Sequence, residues 1–401
     1  MNTPNPADDR ARLMILCAAL VFALTVGLRQ SLPLFISPIN TATGLGLSMI
    51  SFAFGVGQLA WGIAQPIAGA LTPRYGNGRV LTAGALMIVA GTALTPFATS
   101  GWMLVLAIGI LGAAGAGIAG PAVLLAAISA RLEPKRRAMA SSLVNAGGSV
   151  GQFVVIPVAQ LLISGTGWVG ALLILAAASA AIIPISRILW IKPGEAPPPS
   201  TTEANVRVRD AVRDPNFALL SVGFFVCGFH IAFIATHLPG VVAACGLPPS
   251  VGAWSLALVG LFNVAGSIGI GWAMNRWRSK SLLSLLYLSR AVAIVAFLAA
   301  PKTPLTFAIF AAVIGASYFS TLPPTAGLVG KSFGLQNMAT LFGLVMLSHQ
   351  LGGFLGAWLG GRTFDATGSY DWMWYADIAL ALFAALVHLP IREKAVRLAA
   401  A

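Results

Sequence analysis

The sequence predicts an all-α membrane protein of twelve transmembrane helices, arranged as two pseudo-symmetric six-helix bundles. Three observations carry this. Of 401 residues, 58% are hydrophobic and only 9% charged, whereas soluble domains are about a quarter charged. The apolar stretches run to about 20 residues, which suits a membrane-crossing helix, and they lack the alternation of barrel strands. Finally, the polar, proline-rich stretch Lys192-Pro-Gly-Glu-Ala-Pro-Pro-Pro-Ser-Thr-Thr-Glu reads as a linker that divides the chain into two halves.

The spans follow in order, each bounded by its charges. Arg10 and Arg12 precede helix 1, residues 13–37. The first apolar segment is too long for a signal-peptide core and lacks a small-residue cleavage site, so no cleavable leader is expected. Arg74 and Arg79 join helix 2 (48–72) to helix 3 (79–98). Arg131, Lys135, Arg136 and Arg137 lie between helix 4 (103–129) and helix 5 (139–163). Helix 6 (168–190) runs into the linker at 191–214, which holds Lys192, Arg207, Arg209 and Arg213. In the second half, helices 7 (216–240) and 8 (252–274) come first. Arg276, Arg278 and Lys280 then lead into helix 9 (281–300). Lys302 precedes helix 10 (304–329), and Lys331 joins it to helix 11 (338–361), which closes on Arg362. Helix 12 (372–390) ends the series, before Arg392, Lys394 and Arg397. The expected domains are therefore 1–190, the linker 191–214, and 215–401.

Nearly all of these cations fall in loops on one side. The positive-inside rule then puts both termini in the cytoplasm of a bacterial inner membrane. The net charge of +13 is read as a topology signal facing anionic headgroups, and not as a nucleic-acid footprint. Cys17, Cys227 and Cys245 are widely separated and suggest neither a disulfide framework nor a metal site. No Walker loop and no His-Glu-x-x-His helix is present, so no ATP, metal, cofactor or enzymatic role is expected.

The halves repeat. Gly69-Ala-Leu-Thr-Pro73-Arg74 ends helix 2, and Gly271-Trp-Ala-Met-Asn275-Arg276 ends helix 8, 202 residues later. Gly147, Gly148 and Gly151 in helix 5 match Gly352, Gly353 and Gly356 in helix 11, 205 residues later. Parallel six-helix repeats point to a transporter whose substrate site lies between the halves near the midplane.

The stretch Gly69-x-x-x-x-Arg74-Tyr-Gly-Asn-Gly-Arg79 resembles the loop 2–3 signature of the major facilitator superfamily. That resemblance implies a conformational latch made here by Gly69, Arg74, Arg79, Asn275 and Arg276. The signature's acidic residue is replaced by Pro73 and, in the second copy, by Asn275. Within the superfamily, Arg29-Gln-Ser-Leu-Pro-Leu-Phe35 resembles the helix 1 stretch of monocarboxylate transporters, whose cation attracts the substrate carboxylate. Ser348-His349-Gln350, followed by Phe364-Asp365 and Tyr370, is similar to the helix 11 region of the bacterial monocarboxylate and oxalate/formate group. Lactate-type members use a helix 7 His, a helix 8 Asn and a helix 10 Tyr, places that His237, Asn263 and Tyr318 hold here. A second cation in helix 8 or 11, which monocarboxylate and oxalate carriers can have, is missing, and this argues against a dicarboxylate. Those helices offer Asn263, His349 and Gln350 instead.

Polar residues inside the spans sharpen this reading. Arg29 lies sixteen residues beyond Leu13, roughly 24 Å along a helix, well within hydrocarbon about 30 Å thick. Such a charge faces a water-filled cavity or a partner, and a planar guanidinium suits a carboxylate. His230 and His237, seven apart on one helix face, are the candidates for proton coupling. Pro239 nearby favours a wet, cavity-lining place for His237. Asn145, Gln58, Gln65 and Gln152 could donate to a ligand or bond between helices. Arg290, near the middle of helix 9, is expected to have a structural partner that the sequence does not identify. Asp377 is the one acid clearly inside a span.

The expected function is secondary transport of a small organic anion, a monocarboxylate such as lactate or pyruvate, by a monomer in the bilayer, with or without protons. The alternatives are an exporter of amphipathic compounds or drugs and, from another class, a non-transporting membrane sensor.

Overall fold

The computed structural model describes residues 6–129, 131–190, 208–334 and 338–393. Most of the expected linker, residues 191–207, lies outside them. The chain forms two compact units, Met1–Pro199 and Ser200–Ala401.

Unit 1 contains α1 (Pro6–Ser31), α2 (Ile36–Thr43), α3 (Leu47–Tyr75), α4 (Asn77–Leu94), α5 (Gly101–Leu104), α6 (Ala113–Ile118), α7 (Pro121–Ser129), α8 (Pro134–Ser179) and α9 (Ile182–Ser186). Unit 2 contains α10 (Val208–Val212), α11 (Pro215–Ala244), α12 (Pro249–Ala273), α13 (Ser279–Ala299), α14 (Pro304–Ser317), α15 (Leu322–Phe333), α16 (Met338–Thr367) and α17 (Asp371–Val387). Ten segments among the described residues are long and apolar enough to cross a membrane. One of them, Met139–Leu189, holds two helices joined at Gly167, whose φ of 74° suits glycine. Helix α17, at 17 residues, completes the twelve.

Three expected continuous helices are interrupted, and each break has a local cause. Helix 1 stops at Ser31 because Pro33 has no N–H to donate; a 3₁₀ turn, Leu32–Phe35, leads into α2. Helix 4 is widened by a π-helical stretch, Val105–Gly112, and re-forms as α7 at Pro121. Helix 10 breaks between α14 and α15, over residues 318–321, just ahead of the pair Pro323-Pro324. Two consecutive missing donors cannot continue a helical ladder.

Large apolar side chains cover the outside. Leu161, Ile268, Trp102 and Trp372 are each about 70% exposed, which suits lipid as the surrounding solvent. The interior seams use small residues instead. A Cβ on Gly147 or Gly151 would strike the backbone of Ala19 or Ala23, so α8 lies directly on α1. A Cβ on Gly352 or Gly356 would strike the carbonyls of Phe225 and Phe229, so α16 lies on α11 in the same way. The glycines recur 205 residues apart and their partners 206 apart. The repeat is thus a repeat of contacts as well as of letters. Close approach of this kind drives helix association in lipid. Gly356→Ala is expected to force the α11/α16 seam apart and cost about 1–3 kcal/mol. A lowered melting temperature of the purified protein in detergent checks this, with the exposed Gly343→Ala as control.

Both units tie their last span to the preceding basic loops. In unit 1, Asn77 donates to the carbonyl of Leu189, Arg131 donates to those of Ile188 and Trp190, and Gly78 leaves room for the Trp190 ring. In unit 2, one oxygen of Glu393 accepts from the Lys280 backbone N–H at 2.7 Å, and the other lies 3.9 Å from Lys331 Nζ. A carboxylate at the first turn of α13 satisfies an orphan helix donor and complements the helix dipole.

Candidate functional site

Arg29 occupies the last turn of α1, just before the break at Pro33. It is half-buried. Its Nη2 donates to Oε1 of Gln58, and its guanidinium lies 4.9 Å from the Trp61 ring centre. Gln58 and Trp61 are three residues apart on α3, hence on one face. That face grips the cation by a charge-assisted hydrogen bond and by its ring, which orients the planar fork. Gln58 was legible as a polar membrane residue. Trp61 was missed, although its i, i+3 spacing from Gln58 is the signal that finds it. Asn145 does not join this group. It is exposed on α8, two residues before Gly147, which faces Ala19. Ala19 lies ten residues before Arg29, or about 15 Å lower along α1.

In unit 2 the predicted polar shell divides. Asn263 and Tyr318 meet at the break in the tenth span. Asn263 Oδ1 accepts from the freed N–H of Phe319 at 3.1 Å, and the Tyr318 hydroxyl, 1% exposed, donates to the Ile231 carbonyl at 3.5 Å. Asn263 thus satisfies backbone that the break exposes, as membrane interiors demand, while Tyr318 ties the break to α11.

His237 corrects the expectation of a wet position. It is 2% exposed, its Nε2 lies 2.7 Å from the Ala357 carbonyl, and its ring packs on Phe233 and Tyr370. Helix α11 continues through Pro239 to Ala244, since a membrane helix tolerates the loss of one backbone bond. Gly360, with no side chain, makes room for the imidazole. His237 is therefore part of the α11/α16 seam. His349 and Gln350 are also buried, at 7% and 1%; the His349 ring lies 4.9 Å from that of Phe224.

Arg290 now has its partners. It is 2% exposed. Nη2 donates to the carbonyls of Ser317 and Tyr318, Nε to the Ser317 hydroxyl at 3.2 Å, and Nη1 to the Cys227 sulfur at 3.5 Å. The guanidinium thus caps the end of α14 from a neighbouring helix, and opposite it Asn263 caps the start of the next stretch. Cys227 is a polar partner in its own right: its sulfur is also 3.1 Å from the Thr321 hydroxyl. His230 faces Asp377, with Nε2 3.2 Å from Oδ1.

The latch residues lie at the ends of their helices. Gly69, Arg74, Arg79, Asn275 and Arg276 are exposed. Arg74 lies over the Tyr75 ring at 5.4 Å and Arg276 over Trp272 at 4.1 Å. Asn275, just past the end of α12, donates to the carbonyl of Gly271 at 3.4 Å.

Among curated proteins, the chain is similar to an uncharacterised MFS-type transporter, YcxA of Bacillus subtilis (strain 168), at 24% identity over 376 residues, covering 90% of this chain and 91% of the relative. It is similar to monocarboxylate transporter 13 of Bos taurus at 24% identity over 362 residues, covering 89% and 84%. Among solved structures, it resembles the nucleoside transporter NupG with a TM-score of 0.80 at 13% identity, covering 94% and 99%. It also resembles a bacterial homologue of the human lysosomal transporter Spinster, with a TM-score of 0.75 at 16% identity, covering 96% and 97%. These likenesses speak to the fold. The sequence itself matches the family described as Major Facilitator Superfamily over residues 14–357 and 220–400, and this chain belongs to that superfamily of transporters.

Proposed function

We propose that this transporter carries a small organic anion, a monocarboxylate of the lactate or pyruvate kind, by alternating access across the bacterial inner membrane, with both termini cytoplasmic. The observation that carries this reading is Arg29: a permanent cation inside a span, half-buried, with its fork oriented by Gln58 and Trp61. A guanidinium offers paired donors that match a carboxylate. The likeness to a monocarboxylate transporter supports the same substrate class. Within unit 2, Asn263, Tyr318 and His237 hold backbone and the α11/α16 seam in place.

The test is counterflow in proteoliposomes. Vesicles preloaded with an unlabelled monocarboxylate are expected to accumulate labelled lactate or pyruvate transiently and saturably. Oxalate is expected to compete weakly, because helices 8 and 11 offer Asn263, His349 and Gln350 where a second cation would stand. Absence of counterflow with every small monocarboxylate overturns the assignment, and saturable movement of lipophilic drugs in its place would favour an exporter.

A further inference from the structure

Unit 2 encloses a pair of ionisable side chains that anion recognition by Arg29 leaves unused. His230 on α11 and Asp377 on α17 are 1% and 0% exposed, with Nε2 3.2 Å from Oδ1. Beyond that contact, the ring nitrogens of His230 and the oxygens of Asp377 meet no other side-chain hydrogen-bond partner among the described residues. Burying an acid and an imidazole with their polar atoms unsatisfied is costly. Apolar residues of the same size would pack this seam more cheaply, so packing does not account for the pair.

The groups around it come from every neighbouring helix. Helix α13 supplies Arg290 and Tyr287, whose ring centre is 6.4 Å from that of His230. Cys227 lies one turn earlier on α11. Tyr318, beyond α14, reaches the Ile231 carbonyl. His349 on α16 lies beside Cys227, and His388, after α17, stacks on Tyr287 at 5.2 Å. The charge of Arg290 acts on both members of the pair. With Asp377 ionised and His230 neutral, Arg290 brings the cluster to zero net charge; one added proton brings it to +1. A second would leave two uncompensated charges in hydrocarbon, which the medium opposes. The cluster is built to hold one proton, and that proton belongs to the pair and not to either residue alone.

We propose that His230 and Asp377 form the proton-binding site of this carrier, which takes up one proton at Nε2 or Oδ1 together with each anion, making the protein a proton–anion symporter. The proposal rests on the anion-carrier reading for its second substrate. No bond other than that to the incoming proton is made or broken. The structure also supplies a route from proton to conformation. The guanidinium that feels the pair is the one that holds the Ser317 and Tyr318 carbonyls at the break in the tenth span. Neutralising Asp377 removes the opposing charge from Arg290 and changes how firmly that break is held, which is a local charge event acting on a bendable element.

Two measurements test this. The first needs no substrate. Infrared difference spectra of the purified protein, acid minus alkaline, are expected to show the carbonyl band of one carboxylic acid shielded from water, absent in Asp377→Asn and shifted in His230→Gln. Absence of that band from the wild type overturns the proposal, and this arm decides the matter even if both variants fail to fold. The second measurement uses proteoliposomes. A one-unit inward proton gradient is expected to drive about tenfold accumulation of the anion by the wild type, one pH unit being worth a tenfold ratio. In Asp377→Asn the ratio of accumulation with the gradient to that without it is expected to fall to about one; full accumulation by that variant overturns the proposal. Failure of the anion reading looks different: the wild type then shows the infrared band but no monocarboxylate counterflow.

Discussion

Replacing Arg29 by alanine is expected to reduce monocarboxylate counterflow to near background while the protein stays folded. A hydrogen bond to a charged group is worth about 1.5–3 kcal/mol. Losing it from the anion costs about 10- to 150-fold in affinity. The fold should tolerate the change. Arg29 is half-buried, its Trp61 contact is worth about 0.5–1 kcal/mol at such a place, and Gln58 can turn to water or to the anion. Arg29→Lys separates charge from shape. It keeps the cation but loses the paired donors and the planar face on Trp61, so an intermediate affinity is expected. Counterflow titrations of the three proteins, with melting curves as the folding control, check the order Arg, Lys, Ala. Equal affinities across the series would remove Arg29 from the site.

The largest stability effect is expected at Arg290. Alanine there leaves the Ser317 and Tyr318 carbonyls and the Cys227 sulfur without their donor, inside an apolar bundle. Each buried acceptor left unsatisfied costs about 1–3 kcal/mol. Thermal unfolding in detergent should therefore shift sharply downward, with low yield of folded protein. Lysine is expected to rescue only part, because one compact ammonium cannot reach two carbonyls and a thiol at once. Arg290→Met combined with Asp377→Asn is expected to be less damaging than the sum of the two single changes, by about 0.5–3 kcal/mol, since it removes both charges together. A double variant that is merely additive would show that the two groups do not sense each other.

These two arginines show how legibility differed along the chain. Arg29 stood out from sequence because it lies alone in a long apolar run and at a motif with a familiar role. Arg290 was just as conspicuous, but its partners lie 27, 28 and 63 residues away, on helices whose rotation the sequence does not state. His237 drew attention through Pro239, and the structure gave it to a helix seam, because one proline does not open a helix that neighbours support on all sides. Asn263 and Tyr318 both lie at the broken backbone of the tenth span.

What the sequence determined by itself is what lipid demands locally. Each span must be about 20 apolar residues long, cations must remain on one side, and small residues must line close helix contacts. These are one-dimensional requirements, so helix number, order and the repeat could be read directly. Tertiary structure alone decided which buried polar group meets which. Those pairings depend on helix rotation and on where a span breaks, and both are set by packing across the whole unit. Hence the partners of Arg29 and Arg290, and the facing of His230 and Asp377, emerged only with the fold.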